Sequence, residues 1–424
     1  MKIAFITDFH LGFRSEGREK DAFNNAVSGV EAAVKENVDA IVFNGDFFHH
    51  DVPKQEILLE AFKLLANARN AADSIVKIEI TGKNGTRKPE FEGIPFIAIH
   101  GTHEFRGRDF TNVMEIFDKA GFLIYIHAEK LVLSKHREII ALHGLGGVPE
   151  KKALDALLHW NPEPEENAFN ILLLHQSLKE FMPFEDEMVA TISMGDLPPG
   201  FDLVVNGHLH WPSEIKEKNL HLLMPGSTVV TQMKNLESKK KKAWFLLDTK
   251  NGELTEKTIA GQRPFHYSKI ELLQANPETV REKVETEING LIRGEHLEKP
   301  LVKIKVVGSL AKGFEESDLK LNDFVEKFKH EAIVSVSSNF REENFKKKIS
   351  ELSALQAEKK SISELGLEIL EKNLEETEFN KAFDSRRLFS LLKEDESDKA
   401  LSMVSELTPR KKLQENNQAT LKNE

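Results

Sequence analysis

Five apolar runs in the first half of the chain each deliver an aspartate or a histidine at their carboxyl end. KIAFIT leads into Asp8 and His10, AIVFNG into Asp46, and IPFIAIHGT into His103 and Glu104. NILLLH ends on His175, and LVVNG leads into His208 and His210. In an α/β sheet the carboxyl ends of the strands form the edge where ligands bind, so residues far apart in the chain can converge there. Histidines scattered through a core have no reason to choose strand ends repeatedly.

The runs read as strands over Lys2–Thr7, Asp39–Asn44, Ile94–His100, Ile139–His143, Asn170–His175 and Asp202–Asn206. Several are apolar at consecutive positions, as strands covered on both faces are. Between the early ones lie helical patterns. In Glu19–Glu36, for example, Phe23, Ala26, Val27 and Val30 share one face. Alternating strands and helices, followed by the strand-rich Leu220–Asp248, predict a layered α/β domain over residues 1–265. The Gly/Lys-rich Lys83–Pro89 reads as an exposed loop.

A boundary near Gly261–Pro264 separates this from a second pattern. Tyr267–Leu273 reads as a strand, and Asn276-Pro277-Glu278 opens a helix with a good N-cap, a proline and an acid in their preferred places. Leu301–Val307 and Ala332–Val336 read as strands with a helix near Leu319–Lys329 between them, which makes 266–340 a small β-α-β-α-β domain. From about Glu342 the composition shifts to Lys, Glu, Leu and Ser. Ser361 and Glu364 make a capping box, and Ile362, Leu365, Ile369 and Leu374 lie near one helical face. Leu388, Leu391, Leu392, Leu401 and Val404 continue helical patterns. Such short helices dock on this chain or on a partner, and the residues leave both open. Residues 341–408 are thus a helical segment and 409–424 a disordered tail.

Composition narrows the chemistry. With no cysteine in 424 residues, disulfides, thiolate metal sites and thiol nucleophiles are excluded. The opening MKIAFITDFHLGF is too polar for a secretory leader, and no stretch approaches the roughly 20 apolar residues of a membrane span. The expectation is a soluble, cytoplasmic protein without a membrane partner. A net charge of −11 argues against a generally basic nucleic-acid binder, but bound divalent cations reverse the local potential of an acidic site.

The spacings suit metal ligation. In Asp8-Phe9-His10, alternate residues of an extended segment point the same way and reach one cation. By the same logic His208-Leu209-His210 offers two imidazoles, to one cation or to two. Gly45, Gly101 and Gly207 stand where a missing Cβ lets backbones crowd a small site. Mixed imidazole and carboxylate ligands suit Mn²⁺, Fe²⁺ or Zn²⁺ better than Ca²⁺. Each motif alone is weak. The ordered set Asp-x-His, Gly-Asp, Gly-x-His-Glu, His, Gly-His-x-His is specific.

That set resembles the calcineurin-like metallophosphoesterase superfamily and, within it, the SbcD-type double-strand-break-repair nucleases. DFHLGFRSEGREKDAFNNA, GDFFHH, MPGST and the order of domains carry the resemblance over nearly the whole chain. It implies a metallophosphoesterase sandwich with two divalent cations, Mn²⁺ first among them, and a capping domain over about 266–340. It also implies homodimers, DNA as substrate, and a C-terminal segment that binds an SMC-like ATPase of the SbcC type. By the same resemblance Asp8, His10 and His210 hold one cation, His175 and His208 the second, and Asp46 bridges. His103 becomes the acid–base or leaving-group histidine, and His49 lies near the substrate, although a plain surface position explains it equally well. Glu104 either orients His103 or fixes its loop. The family's usual asparagine is Thr102 here, which implies a weaker second site; Asn44 is a candidate substitute, with packing as its simpler role.

The motifs alone do not name DNA, since the same centre serves phosphomonoesterases and small-molecule phosphodiesterases. An impaired site on a scaffold is a third reading. Arg14, Arg18, Arg106, Arg108 and the Lys239–Lys242 run are compatible with phosphate contacts, but each has an ordinary reading as solvated surface charge.

Overall fold

Strands that are apolar on both faces need cover on both sides, and two stacked sheets between helices supply it. The computed structural model describes residues 1–340 apart from 16, 84, 108–109, 183–190, 218–219 and 295–297, and beyond these residues 367, 371, 384–393 and 403.

The strands are β1 (Lys2–Ile6), β2 (Ala40–Asn44), β3 (Lys77–Gly82), β4 (Gly85–Arg87), β5 (Phe96–Ile99), β6 (Ile124–Tyr125) and β7 (Glu129–Lys135). They continue with β8 (Glu138–Leu145), β9 (Phe169–Leu174), β10 (Leu203–Asn206), β11 (Ser213–Glu217), β12 (Leu220–Met224), β13 (Ala243–Asp248) and β14 (Glu253–Thr258). One sheet runs β14-β13-β1-β2-β5-β6 and the other β11-β12-β10-β9-β8-β7-β3-β4.

The alternation within each strand builds the layers. Ile3, Phe5, Val42 and Ile97 face Leu142, Ile171, Leu173 and Val205 across the space between the sheets. The neighbouring Ala4, Ile6, Ile41 and Phe43 point the other way, onto Ala26 and Val30 of α1 (Asp21–Lys35) and Leu64 and Leu65 of α2 (Gln55–Arg69). Val113, Met114 and Phe117 of α3 (Val113–Lys119) join that layer. Beneath the second sheet, Leu172, Leu174, Val204 and Leu222 pack on Ala153 and Leu157 of α4 (Glu150–Trp160). Each fully buried aliphatic or aromatic side chain contributes roughly 1.5–3 kcal/mol, so both faces of these strands hold the fold.

β1, β2 and β5 pair in parallel, as do β9 and β10, with Ile6 opposite Phe43, Asn44 opposite Ile99 and Asn206 opposite Leu174. These carboxyl ends share one edge. The loop expected at Lys83–Pro89 is shorter than the sequence suggested. Gly85–Arg87 forms β4 and pairs antiparallel with β3, Gly82 opposite Gly85.

The β-α-β-α-β order expected for 266–340 is present as β15 (Phe265–Ala275), α5 (Pro277–Leu291), β16 (Leu301–Leu310), α6 (Asp323–Phe328) and β17 (Ile333–Asn339), with sheet order β15-β16-β17. Asn276 caps α5 by accepting from the Thr279 N–H at 2.8 Å, with Pro277 at its first position. Val280, Val284 and Ile288 are its buried face. Residues 1–306 with 310–338 form one compact unit, and 307–309 with 339–424 a second. In the latter, the helix Ser385–Lys393 buries Leu388. The expected capping box at Ser361 and Glu364, the face of Ile362, Leu365, Ile369 and Leu374, the positions Leu401 and Val404, and the tail lie outside the described residues. Among the described residues no helix is long and apolar enough to cross a membrane.

Candidate metal centre

The strand ends deliver the predicted residues to one place. Three groups have ligating atoms within 4.8 Å of one another: His10, His49 and His103 on the open side, and, deeper in, Asp8, His10 and His210 beside Asp46, His175 and His208. His10 Nε2 stands 3.8 Å from Asp8 Oδ1 and 3.1 Å from His210 Nε2, and His210 Nε2 is 3.7 Å from Asp8 Oδ1. Asp46 Oδ2 lies between the two deeper groups, 3.2 Å from His175 Nε2 and 4.0 Å from His10 Nε2. Donors bound at about 2.1 Å to one cation sit roughly 3–3.5 Å apart, so these spacings fit a pair of ions.

The loops that carry these residues are held in unusual backbone conformations. Asp8 (φ 55°), His10 (φ 49°), Asp46 (φ 55°) and His208 (φ 74°) are all left-handed, a region that non-glycine residues enter at a cost and mainly where a site demands it. Asp8 and His10 therefore do not converge by extended alternation, as the spacing suggested, but through two left-handed turns. Backbone bonds from Asp8 N to Gly45 O, His10 N to Asp46 O and Leu11 N to Phe47 O zip the two loops together. A Cβ on Gly45, itself at φ 93°, would strike His175 Nδ1, and one on Gly101 would strike Asp46 Oδ1 and N. Only glycine permits that approach.

Hydrogen bonds outside the cluster choose which ring nitrogen faces in. His175 Nδ1 donates to the Asn44 carbonyl at 2.6 Å and His210 Nδ1 meets Thr231 Oγ1 at 2.7 Å. That leaves Nε2 of each for the site. Asp8 Oδ1, His175 Nε2 and His208 Nδ1 are among the buried atoms without a hydrogen-bond partner, and His175 Nε2 faces the Asp46 carboxylate. Orphaned, buried donors of carboxylate and imidazole type fit divalent transition-metal ions.

The electrostatics agree. Burial pushes His10 down to about 3 and His208 down to about 4, and holds His210 well below the ordinary histidine value, so these rings are neutral with free lone pairs. Burial raises Asp8 to about 7, with the Asp46 charge adding to it. Burial alone would also lower His175, but Asp46 and Asp8 overcome it and raise this ring to about 10. Burial acts to raise Asp46 too, yet His175, His10 and His103 around it hold its carboxyl well below the ordinary range. A proton on His175 thus supplies the positive charge that two carboxylates demand.

His103 joins the cluster from β5. Its backbone N–H donates to Asp46 Oδ1 at 2.9 Å, its Nδ1 donates to the His49 carbonyl at 2.8 Å, and its Nε2 stands 3.8 Å from Asp46 Oδ2. His49 stacks on His103 with ring centroids 5.2 Å apart. Glu104 fixes the loops rather than orienting His103. Fully buried, it accepts from the backbone N–H groups of Gly101, Asp46 and Phe48. Thr102 is half-buried between Gly101 and His103. Asn44 ties three strands together through its amide NH2, which donates to the Leu174 and Val205 carbonyls at 2.8 and 2.7 Å, while its Oδ1 is buried without a hydrogen-bond partner.

Two of the basic residues expected at the surface are buried. Arg18 is buried and donates to the Val230 carbonyl and to Asp21, so it is not available to a phosphate. Lys242 is not part of an exposed run. Buried to 2% exposure, it donates to the His210 carbonyl at 2.7 Å, to Ser227 Oγ at 2.9 Å and to Glu237 at 2.9 Å. Arg14 and Lys239–Lys241 are exposed, and Arg106 lies over the Phe110 ring. Arg108 lies outside the described residues. Lys242 and Thr231 support His210, and neither carries a sequence signal of that role: one stands in a run of lysines and the other in a loop.

The calcineurin-like phosphoesterase family model matches residues 1–212, half of the chain, and the chain belongs to that family. It is similar to the double-strand break repair protein MRE11 of Arabidopsis thaliana, 26% identical over 364 residues that cover 72% of this chain and 50% of that protein. The namesake of Encephalitozoon cuniculi is 28% identical over 315 residues, 69% of this chain and 53% of its own. The DNA double-strand break repair protein Mre11 of Sulfolobus acidocaldarius is 25% identical over 371 residues, 82% of this chain and 86% of its own. The chain spans about half the length of the first two relatives.

Proposed function

We propose that this chain is a nuclease that hydrolyses phosphodiester bonds in DNA with two divalent cations, Mn²⁺ first, during the processing of double-strand breaks. The observation that carries the reading is the pair of three-residue groups with Asp46 Oδ2 between them. The names of the relatives support DNA breaks as the setting. Asp8, His10 and His210 would hold one cation and His175 and His208 the other, with Asp46 shared and Thr102 a weak contributor to the second. Bound there, the cations would supply charge to neutralise a phosphate and activate water.

The chain's own residues do the rest. His103 keeps Nδ1–H on the His49 carbonyl, which leaves Nε2 to exchange a proton with the departing oxygen. His49, stacked against it, lies on the substrate side. Residues 1–265 form the nuclease domain, 266–340 cap it, and 341–408 bind an SMC-like ATPase of the SbcC type. The protein works as a homodimer in the cytoplasm.

The test is hydrolysis of linear and plasmid duplex DNA with Mn²⁺, run beside a chromogenic phosphate monoester. Cleavage of DNA well above the monoester supports the reading, and the reverse order makes the chain a phosphomonoesterase. A chain ending at residue 341 keeps that cleavage and loses capture of the ATPase; unchanged capture overturns the partner assignment.

A further inference from the structure

Of the histidines in the Asp46 group, His208 is held differently. His175 turns Nδ1 to a backbone carbonyl and Nε2 into the site. In His208 the buried, unpartnered nitrogen is Nδ1, and Nε2 points the other way, 3.8 Å from Glu150 Oε1. Glu150 is the first residue of α4, and nothing in its sequence context marks it beyond an acid in a helix's first turn. Its carboxylate is nevertheless fixed. Ser177 Oγ donates to Oε1 at 2.5 Å, and Thr191 Oγ1 shares its proton between the Ser177 carbonyl at 2.6 Å and Oε2 at 2.8 Å. Ser177 lies two residues after His175 in the segment that follows β9, so the clamp is anchored beside another member of the group.

A carboxylate beyond the far nitrogen of a ligating imidazole does two things. It stabilises the tautomer that keeps the near nitrogen free of a proton, and it makes that nitrogen a better donor. Because Glu150 lies on the Nε2 side of the ring and the orphaned atom is Nδ1, it acts through His208 and not as a ligand itself. We propose that Glu150 is a positioning residue that holds His208 with Nε2 protonated and Nδ1 turned to the second cation, and so sets the affinity of that cation. The inference rests on the two-cation reading.

The full chain is titrated with Mn²⁺ alone by calorimetry, and the His208 tautomer is read by nitrogen NMR in the cation-free protein. In the wild type two Mn²⁺ bind and His208 carries its proton on Nε2. Glu150→Ala weakens one binding step by about 10- to 100-fold, leaves the other unchanged, and shifts His208 towards a mixture of tautomers. If the variant does not fold, the Ser177→Ala/Thr191→Val pair, which releases the carboxylate, gives the same one-sided loss. Equal weakening of both steps, two unchanged steps, or a proton on Nδ1 in the wild type would overturn the role of Glu150. A wild type that takes fewer than two Mn²⁺ overturns the two-cation reading, and this inference falls with it.

Discussion

His103 and Asp46 are tied at two points: the His103 backbone N–H donates to Asp46 Oδ1 at 2.9 Å, and the His103 imidazole stands 3.8 Å from Asp46 Oδ2. The first tie belongs to the backbone and the second to the side chain. His103→Ala therefore keeps Asp46 in place. Mn²⁺ binding should be unchanged, while turnover falls about 10²- to 10⁴-fold, the usual contribution of a positioned proton donor. Loss of Mn²⁺ together with turnover would show that His103 is a ligand.

The proton on His175 predicts how cation binding responds to pH. With this ring raised to about 10 in the cation-free protein, a cation that needs the neutral imidazole must expel a proton throughout the neutral range. Apparent Mn²⁺ affinity should rise about tenfold for each pH unit between about 7 and 8. Below about 7 the slope steepens, because Asp8, pushed up to about 7 by burial, then also carries a proton. Titrations in buffers of different ionisation enthalpy count the protons released; a pH-independent affinity contradicts the prediction.

Thr102 offers a hydroxyl, a shorter and poorer neutral ligand than an amide oxygen. Thr102→Asn should tighten the weaker of the two Mn²⁺ steps and leave the tighter one alone. Calorimetry on both proteins checks it, and identical isotherms rule out a part for this position.

Lys242 is the buried cation that pairs with Glu237 and holds the His210 carbonyl. Lys242→Met leaves the Glu237 carboxylate buried and unpaired, which should destabilise the chain by about 3–5 kcal/mol. Glu237→Gln/Lys242→Met together should recover part of that loss in urea unfolding. A stability unchanged by the single substitution would mean water reaches the pair.

Much of the site was legible because strand runs and their terminal residues are local signals. Asp8, Asp46, His175 and His208 each stand within two residues of an apolar run, and burial on both faces explains why those runs do not alternate. What was missed depended on distant partners. Lys242 looks like its exposed neighbours until Glu237 and the His210 carbonyl enclose it. Glu150 acquires its place only when Ser177 and Thr191 fold against it. Residue type constrains φ only weakly outside glycine and proline, so the spacing of Asp8 and His10 predicts an extended segment where the chain makes left-handed turns. KIEITG of β3 alternates as a half-buried strand does, with Ile78 and Ile80 inward, whereas GTR of β4 has no apolar side chain and becomes a strand only through its pairing with β3.

An Asp46 carboxylate shared between two cations has a direct signature in anomalous diffraction at the manganese edge from a crystal soaked in Mn²⁺. Two peaks should appear, one beside Asp8, His10 and His210 and one beside His175 and His208, with the Asp46 carboxylate between them. A single peak, or peaks away from these six side chains, would contradict it.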